Sequence, residues 1–213
     1  MREDLEQQEQ LDAIKGFWQD NKKWIVPLVT AGLLAAAGFN GWSAWQNHQA
    51  NQATDALVAM EGALAEQNLD KARVAYKALV DDYGRSTQAA IGGLELAKVY
   101  SGHGQLAEAR GVLEVVAKHP ADEFVWIAKI RLAGVMLDEN DAKGALDVLS
   151  GNPPKEFSGL VNDRKGDVHA ALGNQEEARI AWKRAADELG PQSPSRELAL
   201  RKLQTIDSFG SVK

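Results

Sequence analysis

KKWIVPLVTAGLLAAAGFNGWSAW, residues 22–45, decides how the rest of this chain is to be read. So apolar a run is a cleaved export signal, a helix buried in a soluble core, or a permanent membrane anchor. Each reading puts the other residues in a different compartment. No Asp, Glu, Lys or Arg occurs from Trp24 through Thr54. At a rise of 1.5 Å per residue, the densest part, about 22 residues, spans roughly 33 Å and so crosses a hydrocarbon layer of about 30 Å with some tilt. Trp18 and Trp24 mark one end and Trp42 and Trp45 the other, where amphipathic rings would sit at the two headgroup levels. Gly32, Gly38, Gly41 and Ala35-Ala36-Ala37 keep part of the span small, as where membrane helices approach one another closely. Pro27 is expected in the first turn or two of this helix, where it costs little.

A cleaved signal would use Lys22 and Lys23 as its charged region and the three alanines as its cleavage site. Against that, the residues ahead of the run are rich in acid, and the run continues past the alanines into Phe39, Trp42 and Trp45. An uncleaved anchor is therefore expected. Lys15, Lys22 and Lys23 precede the span, whereas no Lys or Arg occurs beyond it until Lys71. The positive-inside rule then keeps the N-terminus in the cytoplasm and exports the residues beyond the span. The expected organisation is a cytoplasmic tail (1–22), a transmembrane helix (23–46) in the lipid bilayer, and an exported domain (47–213). In the tail, Leu5, Leu11, Ile14, Phe17 and Trp18 fall partly on one helical stripe, with Glu6, Glu9 and Asp12 opposite. Packing at the inner membrane surface is favoured over a plain solvated tail.

The exported part repeats itself. Asn68-Leu69-Asp70-Lys71-Ala72-Arg73, Gln105-Leu106-Ala107-Glu108-Ala109-Arg110, Asp141-Ala142-Lys143-Gly144-Ala145-Leu146 and Asn174-Gln175-Glu176-Glu177-Ala178-Arg179 read alike. Their alanines are spaced by 37, 36 and 33 residues. A period near 34 is that of tetratricopeptide helix pairs. The alanine belongs where the second helix of a pair crosses the first closely, since a larger side chain would push the axes apart. Four residues on come Tyr76, Leu113, Leu149 and Trp182, on the same face and large enough to fill the space between pairs. Before each alanine lies a turn, Gln67-Asn68, Gly102-His103-Gly104, Glu139-Asn140 or Gly173-Asn174, in which Gly or Asn can take the left-handed conformation. Tyr83-Gly84, His119-Pro120, Asn152-Pro153-Pro154 and Gly190-Pro191 are expected to stop the pairs. The opening helix of the first pair, about residues 50–66, can run straight on from the span. The register is loosest in the last pair, where Lys165, Gly166 and His169 stand at positions that favour apolar residues. A closing amphipathic helix, roughly Ser195–Ile206, would cover the open end, with Ser193 or Ser195 as its N-cap. The fold class is all-α: one N-terminal transmembrane helix, then a tetratricopeptide-like stack.

Composition narrows the function. There are 24 Lys and Arg against 30 Asp and Glu, a net charge of −6, with no basic patch along the sequence. Nucleic acid is not an expected partner. Without cysteine there is no disulfide, thiolate metal site or cysteine nucleophile. His48, His103, His119 and His169 stand one per distant segment, none with an acid at metal-ligand spacing. Neither Ser86 nor Ser101 sits in a nucleophile motif, and Gly92-Gly93 and Gly102 to Gly104 lack the strand-then-helix setting of a phosphate loop. Acid pairs such as Asp81-Asp82 and Glu176-Glu177 read as solvated helix faces. No catalysis, cofactor, metal or small-molecule substrate is expected.

A binding surface is the better expectation, because stacked pairs expose a face formed mainly by their first helices. Its candidates are Glu95, Lys98, Trp126, Lys129 and Arg131, with Trp126 read equally as a filler between repeats. Gly32 and Ala36 are candidates for packing of the anchor against other spans. Two functional classes stay open on these residues. One is a non-catalytic adaptor docked beside other membrane proteins; the other is a domain that itself grips unfolded or peptide clients, or scaffolds envelope proteins.

Glu9-Gln10-Leu11-Asp12-Ala13-Ile14-Lys15-Gly16-Phe17-Trp18, then Lys22-Lys23, Gly38, Gly41-Trp42, Trp45 and His48-Gln49, followed by degenerate helical repeats, resembles the YfgM family over the whole chain. That resemblance implies an inner-membrane ancillary subunit of the SecYEG translocon with a periplasmic tetratricopeptide-like domain. It further implies a partner, a membrane-anchored periplasmic chaperone of the isomerase-like type, and a role in handling exported proteins.

Overall fold

The structure, a computed structural model, describes residues 2–210. The side chains of residues 2–10, 13, 209 and 210 lie outside that description, and with them the tail positions Leu5, Glu6 and Glu9. The described residues form helices without strands, and the chain divides into two compact units, residues 1–51 and 52–213.

The first unit lies on α1 (Arg2–Ala65). Because this helix starts at Arg2, Pro27 falls inside it rather than in an opening turn. The ring therefore removes one internal hydrogen bond, that of its own missing N–H. The apolar side chains of residues 22–45 point outward: Trp24 is 82% exposed, Leu28 77% and Phe39 73%. Among the described residues, the most apolar window of this helix has no buried residue. One stretch of α1, within Ile14–Ala65, is long and apolar enough to cross a membrane. Trp42 and Trp45 stack in a tilted pair with ring centroids 5.1 Å apart.

The second unit is a stack of helix pairs. The last part of α1, from residue 52, pairs with α2 (Leu69–Tyr83); α3 (Thr87–Gly102) with α4 (Leu106–Val116); α5 (Asp122–Asp138) with the short α6 (Ala142–Val148); and α7 (Lys155–Ala171) with α8 (Gln175–Glu188). α9 (Pro194–Gly210) covers the end and is longer at both ends than the sequence pattern suggests. It opens with Pro194 at its first position, and the Ser193 carbonyl accepts the Arg196 N–H (3.0 Å).

All four repeat alanines, Ala72, Ala109, Ala145 and Ala178, have no exposed surface, and Tyr76, Leu113, Leu149 and Trp182 are buried with them. Each turn inside a pair has one left-handed residue, five positions before the alanine: Gln67 (φ 57°), Gly104 (72°), Asn140 (64°) and Gly173 (80°). Around each, two hydrogen bonds close the first helix. The next residue reaches back five positions, as in Asn68 N–H to Ala63 O (2.9 Å) and Asp141 N–H to Met136 O (2.7 Å). The left-handed residue itself reaches back three, as in Gln67 N–H to Leu64 O (2.9 Å). In the first turn Gln67 takes this conformation and Asn68 instead caps α2, its side chain accepting the Lys71 N–H at 2.9 Å.

At three places a glycine on a first helix faces a large side chain. A Cβ at Gly166 would run into the Trp182 ring, one at Gly159 into Leu189, and one at Gly93 into Val116 and the Tyr76 hydroxyl. Gly166, out of place as an apolar repeat position, is thus the space that Trp182 fills. The Tyr76 hydroxyl is buried without a hydrogen-bond partner, and burial pushes its pKa up to about 12.

Two substitutions in the full chain, held in mild detergent, test this packing. Gln67→Gly removes the left-handed strain on a non-glycine residue, set against the unfolded-state entropy of glycine, and is expected to add about 0.5–1 kcal/mol to stability, read as a higher melting temperature. Tyr76→Phe removes an unsatisfied buried hydroxyl and is expected to add about 1–2 kcal/mol at neutral pH. The folded state holds the Tyr76 proton more tightly than the unfolded chain, so its contribution is whole below pH 10.0 and lost as pH rises towards about 12. The advantage of Tyr76→Phe therefore widens over that range in melting curves taken at successive pH values.

Candidate functional site

The first helices α3, α5 and α7 bound an open cleft of about 460 Å³. Lys98, Arg131 and Arg164 contribute one cation from each of these helices, and Asp138 is the acid among the lining residues. Apolar wall comes from Ala97, Leu113, Val135 and Leu137.

The three cations are held differently. Arg131 donates from a terminal nitrogen to the Leu94 carbonyl (3.0 Å), tying α5 to the backbone of α3 while the rest of its guanidinium remains outside. Arg164 donates to Asp167 (3.2 Å), and its guanidinium lies over Gly134, 3.5 Å from where a Cβ would stand. Its Nε–H is buried without an acceptor. Lys98 is exposed, and among the described residues no acid lies within ion-pair distance of it. Asp167 is itself a junction, accepting from the Trp182 indole N–H (3.2 Å) and from the Lys202 ammonium (2.6 Å). Lys202 also donates to Asp163 (2.8 Å), so α9 is clipped to α7 by largely buried charge. Burial raises the Asp163 pKa, against the lowering effect of Lys202.

Of the positions expected to bind, the fold brings Lys98 and Arg131 into this cleft and sends the others elsewhere. Glu95 is exposed on α3 outside the lining. Trp126 is buried in the core, with the Lys129 ammonium 4.5 Å above its ring centroid. Lys129 lines a separate hollow of about 280 Å³ with Glu114, Lys118 and Asp147. Gly32 and Ala36 are exposed on one face of α1 in the first unit. Arg164 was missed because the last pair's register reads poorly, yet a signal existed: Lys98, Arg131 and Arg164 recur every 33 residues.

Two of the four histidines make local hydrogen bonds. His103 Nδ1 is 2.8 Å from the Val99 carbonyl, and His119 accepts the Ala121 N–H at Nδ1 (3.1 Å) with Nε2 3.2 Å from the Ser86 carbonyl. Among the described residues, no group of three or more His, Asp or Glu is placed to hold a metal ion.

With the repeat geometry in place, comparison with known proteins is direct. Residues 15–208 match the tetratricopeptide repeat-like domain family. The chain belongs to that family. Its match begins ahead of Trp18 and so includes the apolar segment as well as the stack. A relative from Neisseria gonorrhoeae is 29% identical over 208 residues, 95% of this chain and 98% of its own. One from Escherichia coli is 27% identical over 178 residues, covering 82% and 84%. A third, from Aggregatibacter actinomycetemcomitans, is 25% identical over 189 residues, covering 87% and 91%. All three carry the name ancillary SecYEG translocon subunit, the YfgM family that the N-terminal motif resembles.

Arg131 and Lys98 are separable by stability. Arg131→Gln strips a cross-helix bond to a backbone carbonyl and is expected to cost about 1–2 kcal/mol. Lys98→Gln removes an unpaired exposed charge and is expected to stay within about 0.5 kcal/mol of the parent. Thermal melts of the two variants in detergent check both.

Proposed function

We propose that this chain is a non-catalytic ancillary subunit of the SecYEG translocon. Residues 23–46 hold it in the inner membrane, residues 1–22 stay in the cytoplasm, and the helix stack stands in the periplasm. There it binds a membrane-anchored chaperone of the isomerase-like type and assists the handling of exported proteins. The observation that carries this reading is the end-to-end similarity, through span and stack together, to relatives bearing the translocon-subunit name. The outward-facing, uncharged segment of α1 and the lysines confined to its N-terminal side support the membrane topology. The exposed Gly32 and Ala36, one turn apart with open space beside Gly32, support lateral contact of the anchor with other spans.

Photocrosslinkers placed at Gly32 and Ala36 in intact membranes, with adducts read by mass spectrometry, test the reading. Specific adducts with translocon subunits are expected. Adducts confined to nascent chains or envelope proteins would replace it with an independent chaperone or scaffold. On the same vesicles, alkaline carbonate should leave the chain in the pellet, and in spheroplasts external protease should reach its C-terminal half.

A further inference from the structure

We propose that the cleft between α3, α5 and α7 docks an acidic, extended segment of a partner protein. Each of three successive first helices supplies one cation to it, Lys98, Arg131 and Arg164, whereas the whole chain carries a net charge of −6. Acid is plentiful on this molecule, yet Asp138 alone among the lining residues opposes these cations. Several other cations of the stack are matched within their own helix, as Lys77 is by Asp81, Arg110 by Glu114 and Arg179 by Glu176. Lys98 has no such partner, and Arg131 uses its bond on a neutral carbonyl, which leaves its charge uncompensated.

Lys98 and Arg131 have no ion pair among the described residues, and Arg164, though paired with Asp167, keeps a buried Nε–H without an acceptor, so a carboxylate-bearing occupant compensates charge here and gains charge-assisted hydrogen bonds. Arginine's planar fork favours carboxylate geometry. The shape selects the occupant further. The cations come from separate helices across an apolar wall of Ala97, Leu113, Val135 and Leu137, so a ligand must present acid at intervals with small apolar groups between. An extended peptide does this, and acidic motifs read by basic clusters are an established mode of recognition. Nucleic acid is disfavoured because no aromatic side chain lines the cleft for a base to stack on. The proposal rests on the chemistry of the cleft and not on the translocon assignment.

The test uses the purified full chain in a non-ionic detergent and a short peptide of alternating Glu and Ala or Leu, labelled with an uncharged fluorophore and followed by anisotropy. Saturable binding is expected, weaker as salt is raised, and tighter than that of the same peptide with Gln for Glu. Lys98→Glu should weaken it by about tenfold while the melting temperature holds, and a Lys-for-Glu peptide should gain on that variant. Should Lys98→Glu lower the melting temperature, Ser101→Asp, on the cleft wall, is the second variant and should weaken binding likewise. Equal binding of the Glu and Gln peptides would overturn the proposal. So would unchanged affinity in both variants. Crosslinking of the anchor reads out separately, so failure of either proposal leaves the other standing.

Discussion

Two helices joined by a short turn can lie against each other only if the turn reverses the chain at once and the residue at their crossing is small. In this chain both conditions are met by one spacing. A left-handed residue at Gln67, Gly104, Asn140 and Gly173 closes the first helix, and five positions later an alanine with no exposed surface lets the second helix approach. The turn fixes where the second helix begins, and the alanine fixes how near it comes. Every later feature of the stack inherits that registration, because large residues four positions on then point between pairs.

Volume is traded across that arrangement rather than held constant at each position. The second helix of the last pair carries Trp182 where the two middle pairs carry leucine, and Gly166 opposite gives up its side chain to receive the ring. In the first interface Gly93 likewise yields to Tyr76 and Val116. Here the exchange is incomplete: filling space with tyrosine buries a hydroxyl that finds no acceptor. Packing density is recovered, but at the expense of polar satisfaction.

The same trade explains what could and could not be read in the linear chain. Alanine and turn positions are dictated by backbone geometry, so Ala72, Ala109, Ala145 and Ala178 stand out in the sequence and are buried in the structure. The span is dictated by solvent and is equally plain. Gly166 looked like a defect, because a position's side chain alone cannot show that its partner is oversized. Gln67 was obscured by the adjacent Asn68, a better left-handed residue that is used instead as a cap. The cleft was hidden for another reason. Its cations are isolated in sequence, one per 33 residues, and only stacking gathers them. Trp126, prominent as an aromatic on a first helix, went to the core because its large apolar surface gains more there than at a rim.

Charge at the end of the stack does a different task from charge in the cleft. Beyond the main core the last pair and α9 share only a small cluster of Ala185, Ala186 and Ala199, edged by Leu189 and Leu200. So little apolar area specifies position weakly, and α9 could slide by a turn without exposing much. The Lys202 ammonium, bonded to Asp163 and Asp167, forbids that, since a slip would leave two largely buried carboxylates unpaired. The Asp163 pKa is raised, because burial disfavours its charged form more than Lys202 favours it. Asp167 then carries the constraint onward, because the carboxylate that receives Lys202 also receives Arg164. Lys202 on α9 and Arg164 on α7 thus share one carboxylate, which links the helix that closes the stack to a cation lining the cleft.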